Sequence, residues 1–186
     1  MIINRERDKL AQAVVFFGHN MRKLGKVKLF KLLYFLDFEH FRDTGRSVTG
    51  LDYFAWKMGP VPKSLFEELD AGNVTWDSTV HFEKKTLGGD RGWMLTVRPL
   101  APFDGSLFSR RELRLLAKLA EEFRDAEADD MVEATHLENS PWDKVWAKEQ
   151  RKQALIPYEY ALRGQETDQM KGLVADRDEI LRVLSK

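Results

Sequence analysis

Residues 26–62 read KVKLFKLLYFLDFEHFRDTGRSVTGLDYFAWKMGPVP, and this stretch constrains the fold more than any other part of the chain. At about 100° per residue, Val27, Phe30, Tyr34, Phe38 and Phe41 fall in one sector, and Leu29, Leu32, Leu33 and Leu36 in a second. Only Lys28, Lys31, Glu39 and Arg42 form a narrow polar stripe, with Phe35 inside it. A helix apolar on most of its circumference is buried on most sides. The charges and the length rule out a bilayer span. The spacing therefore predicts a central helix over 26–42 with other elements packed on two faces. Asp37 lies between the two apolar sectors. An unpaired buried carboxylate is costly, so a structural hydrogen bond or ion pair is expected there rather than catalysis.

Gly45 is placed to stop this helix. Tyr53, Phe54 and Trp56 then favour a strand over 51–58, which Gly59-Pro60 is expected to end. Pro62 suits the first turn of a helix running to about Ala71, with Gly72 after it. An earlier helix is predicted over 5–17, capped by Asn4 and ended by Gly18. Near-alternation of Trp76, Val80 and Phe82, then Trp93, Leu95 and Val97, around the loop LGGDRG signals a hairpin. A small antiparallel sheet is expected, with the segment over 53–58 as a candidate further member.

The second half reads as helical. Ser109 and Glu112 form a capping box before Leu113, Leu116, Ala117, Ala120 and Phe123. Asp130 and Glu133 suggest a second box, and Ser140-Pro141 a third helix start. A short helix over 158–163 follows Pro157. A final amphipathic helix over 167–184 carries Met170, Leu173, Val174, Ile180, Leu181 and Leu184. The fold class is thus α+β: a mainly helical domain around a central buried helix, with a small antiparallel sheet or hairpin on one side.

Thirty basic residues balance thirty acidic ones, so no global attraction to nucleic acid exists. Arg22, Lys23, Lys26, Lys28 and Lys31 nevertheless cluster, and Glu121, Glu122, Asp125, Glu127, Asp129, Asp130 and Glu133 form an acidic run. Solvated faces are the commoner explanation of such runs, a bipolar binding surface the rarer one. The helix over 26–42 is too apolar to expose a reading face, so sequence-specific nucleic-acid binding is not expected. There is no cysteine, which removes disulfides and thiolate chemistry. The absence of a signal-peptide h-region or an apolar membrane span points to a soluble, cytoplasmic protein with no membrane partner. No phosphate-binding loop, dinucleotide fingerprint or Gly-x-Ser-x-Gly elbow is present. His19, His40, His81 and His136 lack metal-ligand spacing. No catalytic residue, metal or cofactor is expected, and the chain does not read as an enzyme.

Four pieces in order carry a resemblance. They are Lys28-Leu-Phe-Lys-Leu-Leu-Tyr-Phe35 with Thr44-Gly45-Arg46, then Ala55-Trp56-Lys57-Met58-Gly59-Pro60-Val61, then Thr135-His136 with Pro141-Trp142, and the stretch over 156–161. Together they resemble the Panacea domain, the SocA-like antitoxin domain. The resemblance implies a domain over 5–163, with 164–186 as an appended amphipathic helix. It marks Lys31, Tyr34, Gly45, Trp56, Gly59, Pro60, Val61, His136 and Trp142 as family residues, mostly structural. It implies an antitoxin of a bacterial, phage or prophage toxin–antitoxin system that neutralises a cognate toxin by direct protein contact. The expected partner surface is Lys28, Lys31 and Phe35, or the apolar face of the last helix. A second copy of the chain is the other candidate partner. The alternatives are a phage-associated adaptor without a toxin, and a small-ligand binder or enzyme with a pocket near Asp37, His136 and the Trp56–Pro60 corner.

Overall fold

The computed structural model describes residues 5–162 except 73, 75, 77, 87–92 and 138, together with residues 172 and 182. Helix α1 (Glu6–Asn20) leads into α2 (Lys26–Thr44), then the strands β1 (Tyr53–Trp56) and β2 (Gly59–Pro62) and helix α3 (Lys63–Ala71). Strands β3 (Val80–Thr86) and β4 (Trp93–Pro99) follow, then α4 (Arg110–Phe123), α5 (Ala128–Thr135) and the short α6 (Pro141–Asp143). A π-helical turn (Lys144–Lys148) continues α6, and a 3-10 turn (Tyr158–Ala161) comes last. The expected Asn4 cap, the LGGDRG loop and the C-terminal helix over 167–184 lie outside the described residues, as does most of 164–186.

The mainly helical α+β class and the central helix are as the sequence predicts. Helix α2 packs against α1, α4, α5, β2, β4 and the 3-10 turn. Leu29, Leu32, Leu33 and Leu36 are fully buried. At the rear of α2, Tyr158 stacks on Phe38 and Phe41 and donates to the Leu51 carbonyl at 2.6 Å, which pins the 3-10 turn to the helix. Gly45 adopts φ 69° and returns its N–H to Phe41 O at 2.7 Å, the left-handed stop that only glycine makes without strain. Helix α1 runs past the expected end at Gly18. A Cβ there would lie 2.9 Å from Pro99 Cδ, so this glycine serves close packing of α1 on β4 instead.

The strands do not form one sheet. β3 and β4 pair with each other, and β1 pairs with β2 in a separate antiparallel hairpin. Gly59-Pro60, expected as a terminator, starts the return strand, with Trp56 opposite Gly59 and Phe54 opposite Val61. Backbone alternation explains why two prolines are tolerated. Ala55 N–H donates to Ala154 O, and Tyr53 and Ala55 carbonyls accept from Ile156 and Gln153. Residues 53 and 55 therefore point away from β2, and their opposite numbers Pro62 and Pro60 point away from β1. No ladder position needs the N–H that proline lacks.

Helix starts follow local chemistry. Ser109 Oγ accepts from Glu112 N–H while Glu112 Oε2 accepts from Ser109 N–H at 2.6 Å, the predicted capping box. Glu112 also pairs with Lys9 at 2.7 Å, tying α4 to α1. The second box sits three residues earlier than expected. Glu127 and Asp130 cap α5, which places Met131 and Thr135 on the inward face at 0% and 1% exposure.

Candidate functional site

The two lysines of the polar stripe on α2 are buried, and Phe35, Glu39 and Arg42 are half-buried. Lys28 and Lys31 are 3% and 1% exposed, which corrects their reading as solvent-facing. Lys28 Nζ donates to the carbonyls of Arg124 and Ala126 at 2.9 and 2.7 Å. These lie just past the C-terminus of α4, where the helix dipole favours a cation. Burial still lowers the Lys28 pKa, with Glu127, Asp125 and Asp130 opposing the shift. Phe35 stacks on Phe123 with centroids 5.2 Å apart and planes 4° from parallel. Lys28, Phe35 and Glu39 thus face α4 and the turn after it.

Lys31 reaches the other way. Its Nζ donates to Pro60 O at 2.9 Å, the carbonyl that strand alternation turns away from β1. Above it Gly59 has φ 96°, and a Cβ there would lie 2.7 Å from both Lys31 Nζ and Thr135 Oγ1. Trp142 Nε1 donates to Trp56 O at 2.9 Å, fastening α6 to the same hairpin. The His136 ring stacks on Trp142 at 3.8 Å and 8°. Thus Lys31, Tyr34, Trp56, Gly59, Pro60, His136 and Trp142 converge on one buried polar cluster, while Gly45 and Val61 serve the α2 stop and the β-hairpin. Thr135, whose hydroxyl closes the underside of Gly59, belongs with them. Its sequence signal is the Thr135-His136 pair, one of the pieces that carry the family resemblance.

The electrostatics follow from burial. Burial alone pulls the Lys31 pKa down to about 7. Burial, then the Lys31 charge, lower the His136 pKa. His136 Nε2 and Tyr34 Oη are buried without a hydrogen-bond partner among the described residues. Burial raises the Tyr34 pKa, with the Trp142 backbone opposing it.

A stability prediction arises here. The unfolded Lys31 binds its proton near 10.5, the folded one near 7. Between those values the unfolded chain holds more proton, so Lys31 lowers stability by about 4–5 kcal/mol as pH falls across the window, with no further loss below it. Lys31→Met is expected to flatten this part of the profile in urea unfolding measured from pH 7 to pH 10. A second prediction concerns Trp142→Phe, which keeps the stack on His136 but removes the indole N–H that Trp56 O accepts. About 1–2 kcal/mol of stability should be lost in the same assay.

Asp37 does not join this cluster. Its carboxylate, 0% exposed, accepts from Val48 and Thr49 N–H at 2.8 Å each, from Tyr53 Oη at 2.7 Å, and from Thr49 Oγ1. Burial pushes its pKa up to about 6 against the pull of those four donors. An enclosed carboxylate serving four internal donors organises the α2–β1 loop and offers nothing to a substrate. The pocket expected from Asp37, His136 and the Trp56–Pro60 corner therefore does not assemble. No group of three or more potential metal ligands occurs among the described residues.

The basic and acidic runs face each other across α2 and the α4–α5 junction. Arg22 lies 3.9 Å from Asp125 and Lys23 3.1 Å from Glu127, both pairs largely exposed and so worth little. An open cleft of about 550 Å³ borders the buried cluster, walled by Tyr34, Phe35, Phe38, Thr135, Leu137 and Leu162 among others. Leu137, 63% exposed, was not singled out by sequence reasoning.

Among the described residues no helix is long and apolar enough to cross a membrane. A family model described as "Antitoxin SocA-like, Panacea domain" matches residues 29–143. The match runs from the first turn of α2 to the end of α6 and contains every residue of the buried cluster. No curated protein and no solved structure matches the chain.

Proposed function

The chain belongs to the family of antitoxin SocA-like Panacea domains, and from that membership we propose that it is the antitoxin of a toxin–antitoxin pair, neutralising a partner toxin by direct protein contact. The observation that carries this reading is the family match over residues 29–143, more than half of the chain. The geometry supports a binding role without catalysis, because Asp37, Lys28, Lys31 and Trp142, all but Lys28 under the match, are engaged internally. Asp37 serves four donors, Lys28 and Lys31 serve backbone carbonyls, and Trp142 serves Trp56. The reading takes 5–163 as the domain and 164–186 as an appended segment. Contact with a toxin falls to the surface around the cluster, since Lys28 and Lys31 are not accessible in the folded domain.

Expression of the neighbouring open reading frame in the source genome, alone and with this chain, tests the proposal. The expected result is growth arrest by the neighbour, relief on co-expression, and co-purification of the two proteins. A neighbour that is harmless alone and never co-purifies would overturn it.

A further inference from the structure

We propose that the outer edge of β3 pairs antiparallel with β3 of a second copy of this chain, giving one sheet in the order β4-β3-β3-β4. The far edge of β4 is already taken, because Val97 N–H donates to Leu24 O at 3.1 Å and Gly25 bridges Thr96. Val97 therefore turns away from β3. Phe82 stands opposite Val97, and directly opposed residues in an antiparallel ladder turn either toward each other or both outward. Phe82 thus turns its amide and carbonyl out of the hairpin, and by alternation so does Thr86. The edge closes at its start, where Val80 N–H donates to Trp76 O at 3.0 Å. It lies open at Phe82 and Thr86, whose backbones meet no further hydrogen-bond partner among the described residues.

Charge selects the occupant and the register. Two copies related by a two-fold axis at residue 84 set Phe82 opposite the second copy's Thr86, and Glu83 opposite its Lys85, each pair occurring twice. Phe82 and Thr86 exchange N–H···O bonds. Glu83 and Lys85 fill the non-hydrogen-bonded positions between them, where Cα atoms approach to about 4.5 Å and side chains meet most closely. Opposite charges stabilise such a position and like charges destabilise it. Both residues are exposed, and neither forms an ion pair among the described residues. Moving the axis by one residue would set Glu83 against Glu83 or Lys85 against Lys85. Lys84 meets its own copy in this register, but its Nζ donates to Asp70 O and Asp70 Oδ1 at 2.7 Å each, so its charge is matched within the chain. Charged edges discourage pairing with foreign strands, and here the alternating signs suit a second β3. The two-fold uses both open edges, so the assembly closes at two chains. The inference stands whether or not the chain binds a toxin.

Sedimentation velocity of the full chain, up to about 1 mM, reads the association. The wild-type chain should dimerise. Glu83→Lys and Lys85→Glu, each alone, should raise the dimer Kd about tenfold. An equimolar mixture of those two variants should associate, because every facing pair is then of opposite sign. Both reversals in one chain should return the Kd to within about threefold of the wild type. If either reversal fails to fold, Glu83→Gln and Lys85→Gln replace them, each with about threefold weakening. A chain that stays monomeric throughout would overturn the proposal. So would a dimer indifferent to the single reversals, which places the contact elsewhere, or a double reversal as weak as the singles, which refutes the register.

Discussion

Replacing Asp37 with alanine is expected to remove about 4–6 kcal/mol of stability, enough to leave a domain of ordinary stability close to unfolded. Among the described residues, the carboxylate is the only acceptor for Val48 N–H, Thr49 N–H and the Tyr53 hydroxyl, all of which are buried with it. Truncation leaves those donors without partners, and each buried orphan costs about 1–3 kcal/mol. The effect is local in cause and wide in reach, because the same donors fix the path from the end of α2 into β1. Asp37→Asn should cost much less, about 1–3 kcal/mol, since its amide oxygen still accepts two N–H groups while the hydroxyls turn to accept from its NH₂. Urea unfolding of both variants checks the pair. Equal losses in the two would show that charge, not donor satisfaction, holds the loop.

Gly59→Ala is expected to cost about 2–4 kcal/mol. Two penalties combine at this position. The backbone sits at φ 96°, where an L side chain is strained, and the new Cβ would lie 2.7 Å from both Lys31 Nζ and Thr135 Oγ1. A lysine end moves aside cheaply in solvent, but Lys31 is 1% exposed and held by Pro60 O. The double variant Gly59→Ala with Lys31→Met removes one of the colliding atoms, so its loss should be smaller than the sum of the two single effects. Strict additivity in thermal or urea unfolding would acquit the Lys31 ammonium and leave the cost to backbone strain and the Thr135 contact.

The parts of the fold that were legible in the sequence are those encoded by neighbours along the chain. The burial of α2 follows from its apolar circumference, the stop at Gly45 from a glycine after the last turn, and the α4 start from Ser109 and Glu112 three residues apart. The buried cluster was legible only in part. Its residues stand out through family resemblance, yet Lys28 and Lys31 read as solvent-facing because lysine usually is. What buries them is backbone. Pro60 O lies 29 positions from Lys31, and Arg124 O and Ala126 O lie 96 and 98 positions from Lys28. A carbonyl leaves no trace in the identity of its residue, so its pairing with a distant lysine is invisible before folding. The same holds for β2. Proline argues against a strand by local rule, and only the alternation of amide directions along β1 reveals that these two prolines stand where no donor is needed. Shifting the α5 cap to Glu127 likewise depends on which face of the helix meets the core, a tertiary fact.

Those two prolines also bear on how the protein behaves at high concentration. An exposed strand edge with free amides invites another chain to extend the sheet, the first step toward aggregation. Along β2, the residues turned away from β1 are Pro60 and Pro62, so that edge has no N–H to offer, and Lys31 already occupies the Pro60 carbonyl. The opposite edge of the hairpin is taken by Ala154 and Ile156. The hairpin is closed to templated growth on both sides. Any protein that engages this region must do so through side chains and shape, not by adding a strand.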